Sequence, residues 1–178
     1  MFAPVGSGLS PDIMHDNHDI WAFDTAYRLY RRARRRARLG RVWRLLTGRR
    51  AGLPGLHDEM APVRDRHALG LRTIPVRQVY GSEGRSADFD SAFRPLQERT
   101  RHRWIAIAVA LLNGATLPPV DLIQVGERYY VRDGHHRVSA ARALGQAEID
   151  ASVVAWAPAG APGVPKETGA PGAAGCAC

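Results

Sequence analysis

The chain has 178 residues and a formal net charge of +8, and apolar residues make up 45% of it. This size and composition fit one folded domain with an appendage and exclude a largely disordered chain. The longest apolar run, residues 105–112, is far shorter than the roughly 20 residues needed to cross a bilayer, and residues 1–9 lack the pattern of a signal peptide. We therefore expect a cytoplasmic protein without a membrane span.

The positive charge is concentrated in one segment near the amino terminus. Eleven arginines and no acidic residue lie between Arg28 and Arg50, so the rest of the chain is mildly acidic. Residues 1–20 show no periodicity and are predicted to be a loose leader. Residues 21–50 are predicted to form a basic amphipathic helix, because Phe23, Tyr27 and Tyr30 recur at helical spacing. Gly40 is compatible with one long helix or with two helices joined at a bend.

This basic helix has several open interpretations. Its arginines can bind the phosphates of nucleic acid or an anionic membrane surface. Alternatively, the helix packs its aromatic residues on the protein body, or Tyr27, Tyr30 and Trp43 mediate contact with another protein or form a homodimer. The candidate nucleic-acid contacts are Arg31, Arg32, Arg34, Arg35 and Arg38.

Residues 51–70 are predicted to be a linker, and residues 71–156 to form an α+β domain with a small mixed sheet. Its predicted elements are a strand over 71–80, a loop over 81–85, a capped helical turn after 88–91, a helix over 101–112, a strand over 120–125, a strand over 128–132, a helix over 137–144 and a strand over 149–156. Gly114 and Gly145 are placed to end the two helices. Tyr129 and Val131 are expected on one face of their strand.

The last segment, residues 157–178, consists mainly of Ala, Gly and Pro and is predicted to be disordered. It contains the two cysteines of the chain, Cys176 and Cys178. Cysteines at the end of such a tail cannot brace a core, so we expect no disulfide framework.

The strongest candidate for a functional site is the turn from Asp133 to Arg137, which joins a strand to a helix. The first N–H groups of a helix lack intrahelical partners and attract anions. Gly134 can adopt a positive φ and permit close approach of a ligand. Arg137 offers a forked pair of donors, and His135 and His136 can donate hydrogen bonds. These features predict a site that holds a phosphate group.

Simpler interpretations of the same turn remain open. Asp133 can cap the helix, and the glycine turn can be purely structural. A metal site is disfavoured, because His135 and His136 are adjacent on a helix and so face in different directions.

The order of these segments resembles the ParB/sulfiredoxin superfamily, whose module is also known as the ParB-like nuclease domain. The likeness covers roughly residues 71–156, is specific from Asp133 to Gly145 and is weaker before Leu117; it also includes Ile74–Val76 and Leu117–Val120. In that superfamily the glycine-to-arginine turn cradles nucleotide phosphates, with CTP in the chromosome-partition proteins and ATP or ADP in sulfiredoxin and the free-serine kinases. The resemblance therefore implies that Gly134, His135, His136 and Arg137 hold the phosphates of ATP, ADP or CTP.

The chain departs from this superfamily in two ways. Sulfiredoxin has its nucleophilic cysteine directly before the His-Arg pair, where this chain has His135, so sulfiredoxin chemistry is not expected. Partition proteins continue into a helix-turn-helix region that reads DNA, whereas the sequence after Trp156 predicts only a disordered tail. We therefore do not expect a complete partition protein.

The resulting hypothesis is a nucleotide-binding module, with NTPase or phosphotransfer activity left open. Arg85 is expected to close over the ligand, Mg²⁺ is expected if phosphoryl transfer occurs, and Asp88, Asp90 or Glu127 are candidates to hold it or to act as a base. The alternative is a nucleic-acid-associated ParB-like protein, with or without nuclease activity, that binds DNA through the arginine-rich helix.

Overall fold

The computed structural model describes residues 11–48, 52–59, 63–85 and 87–158. In chain order the elements are α1 (Pro11–Thr47), α2 (Leu56–Glu59), β1 (Val63–Pro75), a one-turn 3-10 helix (Val76–Gln78), β2 (Val79–Ser82), α3 (Arg101–Leu112), β3 (Val120–Val125), β4 (Arg128–Asp133), α4 (His135–Leu144) and β5 (Glu148–Pro158). The predicted α+β class with one mixed sheet is confirmed. No helix of the described segments has the length and apolar character to cross a bilayer.

The five strands lie in the order β1-β5-β3-β4-β2. The pairs β1/β5 and β3/β4 are antiparallel, whereas β5/β3 and β4/β2 are parallel. β2 and β4 are parallel, with Ser82 opposite Val131. The loop after β2 and the turn after β4 therefore begin at the same end of these two strands. The topology thus brings two loops together that are about fifty residues apart in sequence.

The two faces of the sheet have separate apolar clusters. On one face, Val138 of α4 packs with Val131 and Leu122, and on the other face Tyr130 packs with Leu56. Successive side chains of a strand point to opposite faces, which explains why Tyr129 joins Val131 while Tyr130 does not. The predicted pairing of Tyr129 and Val131 on one face is confirmed.

A third cluster lies among α1, α3 and α4. Tyr30 of α1 is 2% exposed and packs against Trp104 of α3, with ring centroids 5.5 Å apart. The Trp104 indole donates a hydrogen bond of 2.8 Å to Ser139 Oγ of α4. The basic helix therefore packs part of its aromatic residues on the body, but Trp43, with 67% exposure, projects into solvent. Tyr30 and Trp43 accordingly do not share one exposed face.

Several boundaries in the first half differ from the predictions. Helix α1 begins at Pro11, inside the predicted loose leader, and continues without a break through Gly40. Strand β1 begins at Val63, inside the predicted linker, because it pairs with β5 along most of its length. Leu53 is buried in the main core cluster as well.

The predicted strand over residues 71–80 is two strands. β1 ends at Pro75, which has no N–H to donate to a ladder, and a 3-10 turn carries the chain to β2 at the opposite edge of the sheet. The helical turn predicted after residues 88–91 is also wrong. Asp90 instead accepts hydrogen bonds from the N–H groups of Ala92 and Arg94, both 2.9 Å, within a loop.

The second half follows the predictions closely. α3 and β3 have the predicted bounds, and α4 starts two residues earlier than predicted. Gly114 and Gly145 end the two helices with φ of +74° and +75°, as local helix-stop signals predict. The predicted tail beyond residue 158, with both cysteines, lies outside the described residues, as do residues 1–10.

Candidate functional site

The turn from β4 into α4 leads into a helix start that has no side-chain cap. Gly134 is the N-cap residue, with φ +94°, and no side chain bonds to this helix end. The first bond into the helix runs from the Val138 N–H to the Gly134 carbonyl, at 3.0 Å. The N–H groups of His135, His136 and Arg137 therefore have no partner within the helix, which is the arrangement that binds anions.

Gly134 is required here for two structural reasons. Its φ lies in the left-handed region, as predicted, and a Cβ at this position would lie 2.6 Å from Val120 Cγ1. The space that a side chain would need is filled by Val120 at the start of β3, not left open for a ligand. The glycine thus permits close packing of the turn on the sheet.

Arg137 and Asp133 bind each other across this turn. Arg137 donates to Asp133 Oδ2 at 2.8 Å and to the carbonyl oxygens of Pro119, at 2.7 Å, and Pro118. The prediction that Asp133 caps the helix is therefore wrong. Arg137 fixes α4 to the segment before β3, and any contact of its guanidinium with phosphate would have to compete with these bonds.

His135 links α4 to the loop that follows β2. Its side chain is buried, with 4% exposure of the residue, and its Nε2 lies 2.7 Å from Ser82 Oγ. This Oγ already accepts the N–H groups of Arg85, at 2.8 Å, and Gly84, at 3.3 Å. Ser82 therefore donates its proton to Nε2, which requires a neutral imidazole.

His136 carries a buried polar atom without a partner. The residue is 5% exposed, and its Nδ1 forms no hydrogen bond with any of the described residues. Phe89 packs against both imidazoles, with ring centroids 6.0 Å from His135 and 5.2 Å from His136. Because an unpaired buried nitrogen costs stability, Nδ1 of His136 is a candidate contact for a bound group.

Burial and nearby arginines keep both imidazoles neutral at pH 7. Burial, and after it the guanidinium of Arg85, lower the pKa of His135 to about 4. Burial also lowers the pKa of His136 to about 4, aided by Arg103 and then Arg85. The carboxylates of Asp133 and Asp88 only partly oppose these effects. The positive charge of the site therefore comes from Arg85 and Arg103.

These two arginines reach the site from different elements. Arg85 is predicted to close over a ligand; its N–H donates to the same Ser82 Oγ that binds His135, and its charge lowers the pKa of both histidines. Arg103 lies in the first turn of α3. The cluster of Arg101, His102 and Arg103 was the available signal, but nothing in the sequence showed which of the three would approach α4.

The predicted carboxylates do not form a metal site. Asp88 pairs with Arg99 at 3.4 Å, and Asp90 accepts the N–H groups of Ala92 and Arg94 within its loop. Glu127 lies in the β3–β4 turn, at the other end of β4 and roughly 20 Å from α4 at strand spacing. Among the described residues, no group of three or more His, Cys, Asp or Glu side chains is placed to hold a metal. The N–H groups, imidazoles and guanidiniums of the site suit an anion and do not fit a protein-held Mg²⁺.

The predicted nucleic-acid contacts on α1 divide into two groups. Arg31, Arg32, Arg35 and Arg38 are exposed. Arg34 is largely buried, with 13% side-chain exposure, and binds Glu98 at 2.8 Å and the Tyr30 hydroxyl at 3.3 Å. Arg34 therefore anchors α1 to the body and is not available to an external partner.

One solved structure is similar to part of the chain. It is the crystal structure of sulfiredoxin from Arabidopsis thaliana, with 19% identity and a TM-score of 0.36 over 47% of this chain and 82% of the other. No protein-family model and no curated protein matches the chain. A likeness this distant assigns neither a family nor a function to this chain.

Proposed function

We propose that the start of α4 binds a phosphate group of a nucleotide. The observation that carries this proposal is the uncapped helix start, where the N–H groups of His135, His136 and Arg137 have no partner within the helix. The two imidazoles of this turn are neutral, and the charges of Arg85 and Arg103 act on them. Backbone N–H groups and the positive end of the helix dipole together attract an anion. In this proposal Arg85 and Arg103 supply the compensating charge.

Each neighbouring residue has a defined part in this proposal. Ser82 holds His135 in one orientation and positions the N–H of Arg85. Nδ1 of His136 is the unpaired buried atom, and in the Nδ1-protonated neutral tautomer it can donate to a phosphate oxygen. Arg137 is a positioning residue, because its bonds to Asp133 and Pro119 fix the turn.

The nucleotide class rests on the motif from Asp133 to Gly145 and its resemblance to ParB/sulfiredoxin proteins. It comprises ATP, ADP and CTP, with Mg²⁺ arriving on the phosphates, since the described residues offer it no carboxylate cluster. The proposal concerns binding. The site does not identify a base or nucleophile that would assign hydrolysis.

Calorimetric titration of the full chain with ADP, ATP and CTP tests this proposal. We expect Arg85→Gln and Arg103→Gln each to weaken binding by about tenfold, which corresponds to about 1.4 kcal/mol. Arg77→Gln is the matched control, since Arg77 is exposed on the 3-10 helix away from this turn. The proposal is wrong if none of the nucleotides binds, or if Arg77→Gln weakens binding as much as the other two variants.

A second candidate function, binding of nucleic acid through α1, is supported by the exposure of four of its five predicted contacts. Binding carried by phosphate contacts depends steeply on salt. We infer that Arg31→Gln combined with Arg35→Gln would reduce the salt dependence of binding to duplex DNA. Unchanged salt dependence in that variant would exclude α1 as the contact surface.

A further inference from the structure

A second cationic site lies between α1, α4 and the loop over residues 88–97, away from the start of α4. A cavity of about 320 Å³ opens there. Four guanidinium groups line it, from Arg32, Arg36, Arg94 and Arg142. No acidic side chain lies among its lining residues in the described parts of the chain. The buried carboxylate of Asp90 offsets part of this charge beside Arg94, but the positive groups outnumber it and attract an anion.

Two of these arginines are held in place by the body. Arg142 donates to the carbonyl oxygens of Val76 and Val79, and its guanidinium lies 4.6 Å from the centroid of the Phe93 ring. Arg94 lies 3.6 Å from Asp90, which is almost completely buried. These contacts fix both positive groups before any ligand arrives.

The other two come from α1 and are not paired with an acid. Arg32 and Arg36 are one helical turn apart, so they project from the same side of α1. Both are exposed, and neither forms an ion pair with a described residue. Their forked donors are therefore available to a phosphate or a similar oxyanion.

The rest of the cavity wall is suited to an organic group. Leu29, Ala33 and Phe93 provide apolar surface. Ser139 is 3% exposed and accepts the Trp104 indole N–H at 2.8 Å, which leaves its own proton for a ligand acceptor. The cavity thus combines anion donors, one hydroxyl and an apolar wall.

The loop at this cavity also holds a strained residue. Phe93 is 1% exposed and has φ +57°, a left-handed conformation that is unusual for a bulky side chain. Its N–H donates to the Asp90 carbonyl at 2.8 Å, and Asp90 Oδ1 accepts the N–H groups on either side of Phe93. Strain of this kind persists where the surroundings fix it, commonly at ligand sites.

We propose that this cavity binds a small organic phosphate of the phosphomonoester class, with Arg32 and Arg36 closing on the phosphate and Arg94 and Arg142 behind it. The site does not depend on the proposed nucleotide function. It uses the side of α1 that faces α4, whereas Arg31 and Arg35 lie on the neighbouring side of α1, where they line a groove with Arg101 and Glu98.

Calorimetric titration of the full chain with glycerol 3-phosphate tests the proposal, with glycerol as the uncharged probe. We expect the double variant Arg32→Gln/Arg36→Gln to lose at least about tenfold in affinity, since each charged hydrogen bond is worth on the order of 1.5 kcal/mol or more. Arg31→Gln/Arg35→Gln is the matched control, because it removes the same charge from the same helix. It should bind like the wild type, and so should Arg85→Gln.

Three results would overturn the proposal. The first is no binding of glycerol 3-phosphate to the wild-type protein at millimolar concentration. The second is an equal loss of affinity in both double variants, which would indicate that net charge alone attracts the ligand. The third is equal loss in Arg85→Gln, which would place the ligand at the start of α4.

Discussion

Two adjacent histidines in the same turn have different environments. The Nε2 atom of His135 is satisfied by Ser82, while the Nδ1 atom of His136 is buried without a partner. Both are neutral at pH 7, since burial lowers the pKa of each to about 4. The pKa values of these two imidazoles therefore depend on how closely α4 packs on the loop after β2.

These lowered pKa values predict that stability falls in mild acid. An imidazole in the unfolded chain has a pKa near 6.5. As the pH decreases from about 6.5 to about 4, the unfolded state binds protons that the folded state does not, and the free energy of unfolding decreases. The stabilisation is complete above pH 6.5 and is lost toward the folded-state pKa of about 4.

Urea unfolding at two pH values measures this effect. Between about pH 7 and pH 5, one such imidazole should account for a loss of about 1.5 to 2 kcal/mol. His136→Phe retains an aromatic ring beside Phe89, so we expect it to fold and to show a correspondingly smaller loss. His102→Phe, at an exposed position of α3, is the control and should behave like the wild type. An identical loss in all three proteins would contradict the assignment of buried neutral histidines.

The site residues could be identified from sequence only where local chemistry was decisive. A glycine at a strand-to-helix turn marked the start of α4, and Gly134 has the positive φ that this position favours. The role of Arg137 was not predictable, because its acceptors at Pro118 and Pro119 become neighbours only after β3 pairs with β4. Arg103 is about thirty residues from the turn, and its approach to His136 depends on how α3 packs.

At the scale of the elements, the start of α4 is determined by close packing against β3. A test compares Gly134→Ala with Gly126→Ala. Both positions have left-handed φ, +94° and +58°, but a Cβ at Gly126 meets nothing within 4 Å. Each variant should lose about 1–2 kcal/mol for its backbone conformation, and Gly134→Ala should lose about 1–3 kcal/mol more because its Cβ contacts Val120.

Urea unfolding of both variants measures the difference. Equal destabilisation would show that Val120 can move aside without a loss of stability. The left-handed backbone conformation would then be the only reason for glycine at the start of α4. A larger loss of stability in Gly134→Ala would support close packing of Gly134 against Val120.

The elements that the sequence predicted well are those with local start and stop signals. α3 has an apolar stripe and a terminal glycine, and β3 and β4 form a hairpin with a short turn. β1 was placed poorly, since its first residues are polar and gain strand structure only by pairing with β5, more than seventy residues later. Pairing with β5, and not local strand propensity, therefore determines that the first residues of β1 form a strand.

At the scale of the whole molecule, the sheet order explains how the proposed site is assembled. Parallel pairing of β2 with β4 brings Ser82 and Arg85 to the turn that contains His135. Helix α3 contributes Arg103 from a different layer. Helix α1 packs on α3 and α4 through Tyr30 and presents arginines on two neighbouring sides. The fold thus presents one cationic region at the start of α4 and another farther along α4, where α1 packs on it.

The central claim is that the first N–H groups of α4 bind a phosphate group, and amide NMR observes these groups directly. In a titration of the ¹⁵N-labelled full chain with ADP, the amide signals of His135, His136 and Arg137 should shift most and should saturate together. The shifts should be strongly reduced in Arg85→Gln and retained in Arg77→Gln. Saturable binding of ADP that leaves these three amide signals unchanged, or no saturable shift at millimolar ADP, would contradict the account.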